Sequence, residues 1–237
     1  VCNVVGSSIT REVDATVYTY AGPEIAVAST KAYTSQLATL FLLALHLSNL
    51  RETLPTESVE KLLQDMKHLP EQVSQVLAQS DSLQELATRY APFERFLYLG
   101  RHINYPSALE GSLKLKEISY IHAEGYPAGE MKHGHIALID ERMPVVCIVT
   151  QSSVYEKMVS NLQEVHARGG KVIAIATQGD SEIRGLIQDC VYLPETHELV
   201  SPILVAVALQ LFAYHVAAHR GLDVDQPRNL AKSVTVE

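Results

Sequence analysis

The chain has 237 residues, 47% of them hydrophobic and 19% charged, with a net charge of −8. That is enough length and apolar content for one large α/β domain, or one domain and part of another. The acidic balance argues against broad nucleic-acid binding, which needs a basic face, but leaves room for a small anionic substrate held by a few local donors.

In chain order, Val1–Val5 reads as a buried strand ended by Gly6-Ser7-Ser8, and Thr16–Tyr20 as a second strand ended by Ala21-Gly22-Pro23. Ser29 or Thr30 can then cap a long apolar helix from Lys31 to about Leu50. Two strands and a helix cannot cover both faces of a sheet, so this stretch reads as the end of a unit that begins earlier, and the chain as part of something longer. The longest apolar run, Leu37 to Leu45, is interrupted by Thr39 and too short to span a bilayer, and the opening residues carry no secretory leader pattern. From Pro55 to Tyr90 the chain turns polar, with Leu62, Leu63, Met66 and Leu69, then Val73, Val76 and Leu77, at helical spacing. Pro70 is expected to split it into separate helices.

The rest reads as one complete α/β unit. Phe96–Gly100, Val145–Thr150, Lys171–Thr177 and Val191–Pro194 are apolar strand-like runs. They alternate with helices over Tyr105–Ile121, Val154–Arg168 (ended by Gly169-Gly170) and Pro202–Arg220. Uniformly apolar strands alternating with helices mean a three-layer, doubly wound parallel sheet, with ligands expected at the carboxyl ends of its strands. The cysteines, Cys2, Cys147 and Cys190, are too few and too scattered for a disulfide framework. Cys147 and Cys190 fall in apolar runs and read as small buried hydrophobes, as suits a reducing, cytoplasmic setting.

Ionisable side chains concentrate between Leu109 and His135. Ala108, Gly111, Leu115 and Ile118 form one helical stripe, and Glu110, Lys114 and Glu117 another on nearly the opposite face. Gly125, Pro127 and Gly129 break the helix, and Glu130, Lys132, His133 and His135 follow within six residues. Two readings stand side by side: a solvated face decorated with ion pairs, or a carboxylate-bearing helix beside a histidine turn, able to move protons. An HxH without nearby acidic or cysteine partners is a poor metal site, and no pattern calls for a cofactor. The tail DVDQPRNLAKSVTVE lacks periodicity and reads as a frayed terminus, except that Leu230, Val234 and Val236 are apolar and Lys232 sits among them. A lysine desolvated by such neighbours becomes nucleophilic.

Four segments carry a resemblance that covers essentially the whole chain: AGPEIAVASTKAYTSQL at Ala21–Leu37, ALEGSLKLKEISYIHAE at Ala108–Glu124, GEMKHG at Gly129–Gly134, and the tail from Asp223. The chain resembles the carboxyl-terminal, isomerase part of the glucosamine-6-phosphate synthase family, the isomerising glutamine–fructose-6-phosphate aminotransferases built from two flavodoxin-like sugar-isomerase (SIS) domains. The resemblance implies the end of a first SIS domain at 1–53, a helical connector at 54–90, a second SIS domain at 91–221 and a catalytic tail at 222–237.

It also implies roles residue by residue. Lys232 forms an imine with the open-chain ketose. Glu117 carries the proton between C1 and C2, with Lys114 beside it. His133 opens the sugar ring and reaches in from the other subunit of a homodimer. Ser29 and the backbone of Val27 and Ala231 contact sugar hydroxyls, and Arg228 lies near the ammonia channel. The substrate is fructose 6-phosphate, no cofactor is needed, and an amino-terminal glutaminase domain supplies ammonia.

Two departures accompany this. The family's Ser/Thr-rich phosphate loop lies upstream of anything present here, as does the glutaminase domain with its cysteine nucleophile, so the chain alone is expected to be inactive. His135 also stands where the family more often has proline. A non-catalytic SIS module sensing sugar phosphates, or another SIS enzyme such as a deglycase of phosphorylated fructosamines, would share the fold. Lys232 together with Glu117, and the tail sequence itself, favour the synthase.

Overall fold

Strands β1 (Arg95–Gly100), β2 (His122–Pro127), β3 (Val145–Val149), β4 (Val172–Thr177) and β5 (Cys190–Leu193) form one wholly parallel sheet in the order β2-β1-β3-β4-β5. The computed structural model describes residues 1–232. The strand order is that of a doubly wound, flavodoxin-like sheet, reversing direction at β1. Strands β1, β3 and β4 are buried almost throughout, the burial that makes parallel strands read as continuous apolar runs.

Helices cover both faces. On one, α5 (Asn104–Ser119) and α8 (Ser201–His219) pack with α4 (Ser80–Tyr90) over Phe96, Tyr98, Val146, Ile148 and Ile175. On the other, α6 (Tyr155–His166), the 3-10 turn Ala128–His133 and α7 (Ser181–Leu186) cover Leu97, Leu99, Cys147, Val149 and Ala174. Helix α8 is long and apolar enough to cross a membrane by composition alone, but it is largely buried here as the core helix. Its Leu209 approaches α5 so closely that a Cβ on Gly111 would stand 2.5 Å from Leu209 Cδ1.

Four expectations from sequence need correction. Val1–Val5 and Thr16–Tyr20 are not strands: Cys2 and Tyr18 form one isolated parallel bridge, and Val4 and Val5 are exposed. An apolar run without a neighbouring strand has no ladder to join. A short helix, α1 (Ile9–Glu12), lies between them.

Pro70 does not split the connector. It sits inside one continuous helix, α3 (Thr56–Leu77), which buries a stripe of Val59, Leu62, Leu69 and Val76. That packing outweighs the lost hydrogen bond at Pro70.

Strand β2 was not anticipated, because Gly125 and Pro127 read as breakers. It is an edge strand, where both residues are tolerated, and Gly125 is required: a Cβ there would lie 2.8 Å from the Leu109 backbone of α5. The short helix α7 was likewise missed; the Asp180 carboxylate caps it by accepting from Ile183 N.

The long helix α2 (Lys31–Leu50) starts where the sequence placed it, although neither Ser29 nor Thr30 supplies the capping oxygen.

Candidate active site

Helix α5 buries the stripe of Ala108, Gly111, Leu115 and Ile118, as its spacing requires, but it also buries Glu110 and Lys114. The solvated-face reading is therefore wrong. The Lys114 side chain is 4% exposed, and its Nζ lies 2.6 Å from Glu117 Oε2 and 3.7 Å from Glu110 Oε1. A buried ammonium between two carboxylates is paired because leaving it unpaired would be costly.

The two acids differ. Glu110 is enclosed and also accepts from Gln210 of α8 at 3.3 Å. Burial raises its pKa, with Lys114 opposing. Burial and the charge of Glu110 together push the Tyr33 hydroxyl of α2 up to about 12. Glu117 keeps 23% of its side chain open, so it is the carboxylate of the three groups that faces outward with a lysine at its back.

Two other segments gather near the end of α5. In the loop before α2, the Glu24 carboxylate performs the capping that was expected of Ser29 or Thr30. Oε1 accepts from Thr30 N at 2.6 Å and from Ala32 N at 3.5 Å, and Oε2 accepts from Ser29 Oγ at 2.9 Å. Burial pulls its pKa upward, but these donors outweigh burial and hold the carboxyl below the ordinary range.

The tail then docks on this loop and on α5. Val27 N donates to Asp225 O at 2.9 Å, Arg228 N donates to Tyr120 Oη at 2.7 Å, and the Arg228 guanidinium lies 4.2 Å from the centroid of the Tyr120 ring. Lys232 Nζ donates to the main-chain oxygen of Ala26 at 2.8 Å and stands 4.0 Å from Glu24 Oε2. Val27, Ser29, Arg228 and Lys232 are thus brought into one neighbourhood, with Ala231 exposed beside Lys232.

The apolar shell expected around Lys232 is not found among the described residues. Its side chain is 49% exposed and Leu230 is exposed too; Val234 and Val236 lie outside the described residues. Its amine instead rests on the Ala26 and Val27 carbonyl oxygens near the Glu24 carboxylate.

The candidate residues of α5 do not lie at the carboxyl ends of the strands. Helix α5 runs back from the end of β1, so Glu117 and Tyr120 sit at the amino ends, where His122 opens β2 beside Arg95.

His133 lies elsewhere. Its turn packs Ala128 and Met131 into the α6 face of the sheet, opposite the face that carries α5. Lys132 pairs with Glu164 of α6 at 2.7 Å, and the Arg101 guanidinium sits beneath Gly129 while donating to Asn161 Oδ1 at 2.8 Å. His133 itself is 74% exposed and 3.7 Å from Glu130 Oε2. His135 is engaged locally, stacked on Tyr126 at 3.6 Å and paired with Glu124 at 3.1 Å. Among the described residues no three metal-ligating side chains cluster.

Sequence reasoning missed Glu24 and Tyr120. A carboxylate that caps a helix from six residues away follows no local spacing. A helix-ending tyrosine with φ of 60° occupies a position where glycine would be the expected signal.

Residues 90–220 match the model of the SIS domain. Over all 237 residues the chain is 58% identical to a glutamine–fructose-6-phosphate aminotransferase (isomerizing) of Thermus thermophilus and 54% identical to the one of Chlorobaculum tepidum. It spans 39% and 38% of their respective lengths. Among solved structures, the carboxyl-terminal domain of glucosamine-fructose-6-phosphate aminotransferase from Francisella tularensis superimposes with a TM-score of 0.91 at 41% identity, over 96% of this chain and 64% of that one. A glucosamine-6-phosphate deaminase from Thermotoga maritima, at 22% identity and a TM-score of 0.68, shares the fold.

Proposed function

The chain belongs to the SIS-domain family, and on that footing we propose that it is the isomerase portion of a glucosamine-6-phosphate synthase. It would act in the cytoplasm and take ammonia from a glutaminase domain of the same polypeptide, in the supply of hexosamine. Within it, 1–53 would be the end of a first SIS domain, 54–90 a connector, 91–221 a second SIS domain and 222–237 the catalytic tail.

One observation carries this reading. The tail lays Lys232 on the Ala26–Val27 carbonyls beside Glu24 and Ser29, and is tied through Arg228 to the end of the helix that holds Lys114 and Glu117. A non-catalytic sugar-phosphate sensor needs neither a docked primary amine nor a lysine-backed carboxylate.

The chemistry follows from those groups. The Lys232 amine adds to C2 of the open-chain ketose, and water leaves as the imine forms. Ammonia replaces the lysine at C2. The C=N bond draws electrons from C1, so Glu117 can remove a C1 proton and return it at C2, giving the 2-amino aldose. Lys114, held 2.6 Å behind Glu117, orients the carboxylate for that transfer through a charge-assisted hydrogen bond. Ser29 and the backbone of Val27 and Ala231 would hold sugar hydroxyls, and Arg228 would border the ammonia path. His133 would open the ring in the site of a second copy, since its own sheet stands between it and Glu117.

The test is direct. The full-length chain, given fructose 6-phosphate and ammonium, is expected to form glucosamine 6-phosphate, followed by NMR of the sugar carbons. Absence of the amino sugar at every ammonium concentration would overturn the reading.

A further inference from the structure

Tyr120 ends α5 in the left-handed region, with φ of 60° and ψ of 14° and its N–H on the Lys116 carbonyl at 3.2 Å. A bulky residue pays a steric penalty there that glycine would not. Nothing about ending the helix calls for a phenol.

Both of its chemical features are occupied by the tail. The hydroxyl oxygen accepts the Arg228 backbone N–H at 2.7 Å, and the ring face carries the Arg228 guanidinium at 4.2 Å. Pro227 is buried beside this contact. Just before it, Asp223 Oδ1 accepts from the backbone of Asp225 and Gln226 and folds the chain into a turn. The carbonyl of Asp225 in turn accepts from Val27.

The left-handed backbone therefore aims the ring at the tail at a fixed place along the chain. Glu117 lies three residues before Tyr120, and Lys232 lies four residues after Arg228. Among the described residues, this is the hydrogen bond that joins the tail to α5.

We propose that Tyr120 is a positioning residue that sets the imine-forming lysine of the tail against the proton-transferring carboxylate of α5. This rests on the roles given above to Lys232 and Glu117. The clamp acts through Arg228: the hydrogen bond fixes the height of the tail along α5, and the stacked guanidinium fixes its direction. Reactions between positioned groups are sensitive to displacements of about 1 Å, which can cost on the order of a hundredfold in rate. A clamp of this kind acts on kcat more than on KM, because of the groups assigned to the sugar hydroxyls only the Ala231 backbone lies in the tail, whereas Ser29 and Val27 lie outside it.

Two variants of the full-length chain separate the clamp from plain helix termination. Tyr120→Phe keeps the ring and its cation–π contact but removes the acceptor for Arg228 N–H. Tyr120→Asn tolerates the left-handed backbone and removes both contacts. Three readings are taken: kcat and KM with fructose 6-phosphate, the single-turnover rate of borohydride-trapped adduct on the tail peptide, and hydrogen exchange of the amides of residues 225–232.

The phenylalanine variant is expected to lose about tenfold in kcat and in trapping rate, the worth of one hydrogen bond, and the asparagine variant roughly a hundredfold. KM should stay within about twofold, the thermal midpoint should be unchanged, and the Arg228 amide should exchange faster in both. Wild-type trapping rates and undiminished amide protection in both variants would overturn the clamp. A wild-type chain that yields no adduct on Lys232 would overturn the functional reading, and the exchange of the Arg228 amide would still report on the clamp.

Discussion

Glu117 and His133 lie on opposite faces of one sheet. Glu117 rides on α5, whose Leu115 and Ile118 pack over Phe96 and Tyr98, whereas His133 ends a turn whose Ala128 and Met131 pack with Leu97 and Leu99. If both serve one reaction, they must come from different copies. Co-expressed Glu117→Gln and His133→Ala chains are then expected to complement. Each variant alone is inactive, but a two-fold heterodimer restores one of its two sites, giving about a quarter of wild-type activity on random pairing. Activity no greater than that of the single variants would show that the two residues do not work across a subunit boundary.

Glu24 supplies a pH signature. Burial opposes its ionisation, but the donors from Thr30, Ser29 and Ala32 outweigh burial and hold its pKa low. A carboxyl depressed by folding contributes stability in full above its unfolded pKa of about 4.3, and loses it as pH falls through the lower folded value. Glu24→Gln is expected to cost about 1 kcal/mol at neutral pH, with the difference from wild type closing below about pH 4. Urea unfolding across the range checks this, and a gap that did not change with pH would contradict it.

Lys114 is expected to matter for stability as well as chemistry. Its side chain is as buried as the core around it, between Glu110 and Glu117. Lys114→Met keeps most of the volume but leaves the buried Glu110 and the partly open Glu117 without a cation, at an expected cost of about 3 kcal/mol. Adding Glu110→Gln, which preserves an acceptor for Gln210, should recover part of that loss. A single-variant loss under about 0.5 kcal/mol in chemical denaturation would place the pair among ordinary exposed ion pairs.

The sheet was legible wherever burial imposes an apolar run. β1, β3, β4 and β5, and the helices α2, α5, α6 and α8, lie within a few residues of where periodicity puts them. What escaped was set by tertiary contact. β2 exists because Gly125 can slide over the α5 backbone, and α3 passes through Pro70 because α8 packs along it.

The acid–base–acid stripe of α5 was visible as spacing, but only its burial separates it from a solvated face. Ser29 was visible as a cap, yet the capping oxygen comes from Glu24. Tyr120 carried no signal, since its partner Arg228 lies 108 residues away.

The role of Lys232 is the claim on which the rest depends. Its amine rests on the Ala26 carbonyl at 2.8 Å and near Glu24 at 4.0 Å, an arrangement an arginine could share through its charge. Lys232→Arg cannot form an imine. A purely electrostatic lysine would lose about tenfold on that change, roughly 1.4 kcal/mol of transition-state stabilisation, whereas an imine-forming one should lose several orders of magnitude. The decisive measurement is borohydride reduction of the full-length chain with fructose 6-phosphate, followed by peptide mass mapping, alongside the activity of the arginine variant. One hexose phosphate reduced onto the peptide containing Lys232, with the variant inactive, is the expected result; an unmodified tail peptide with substantial activity in the variant would contradict it.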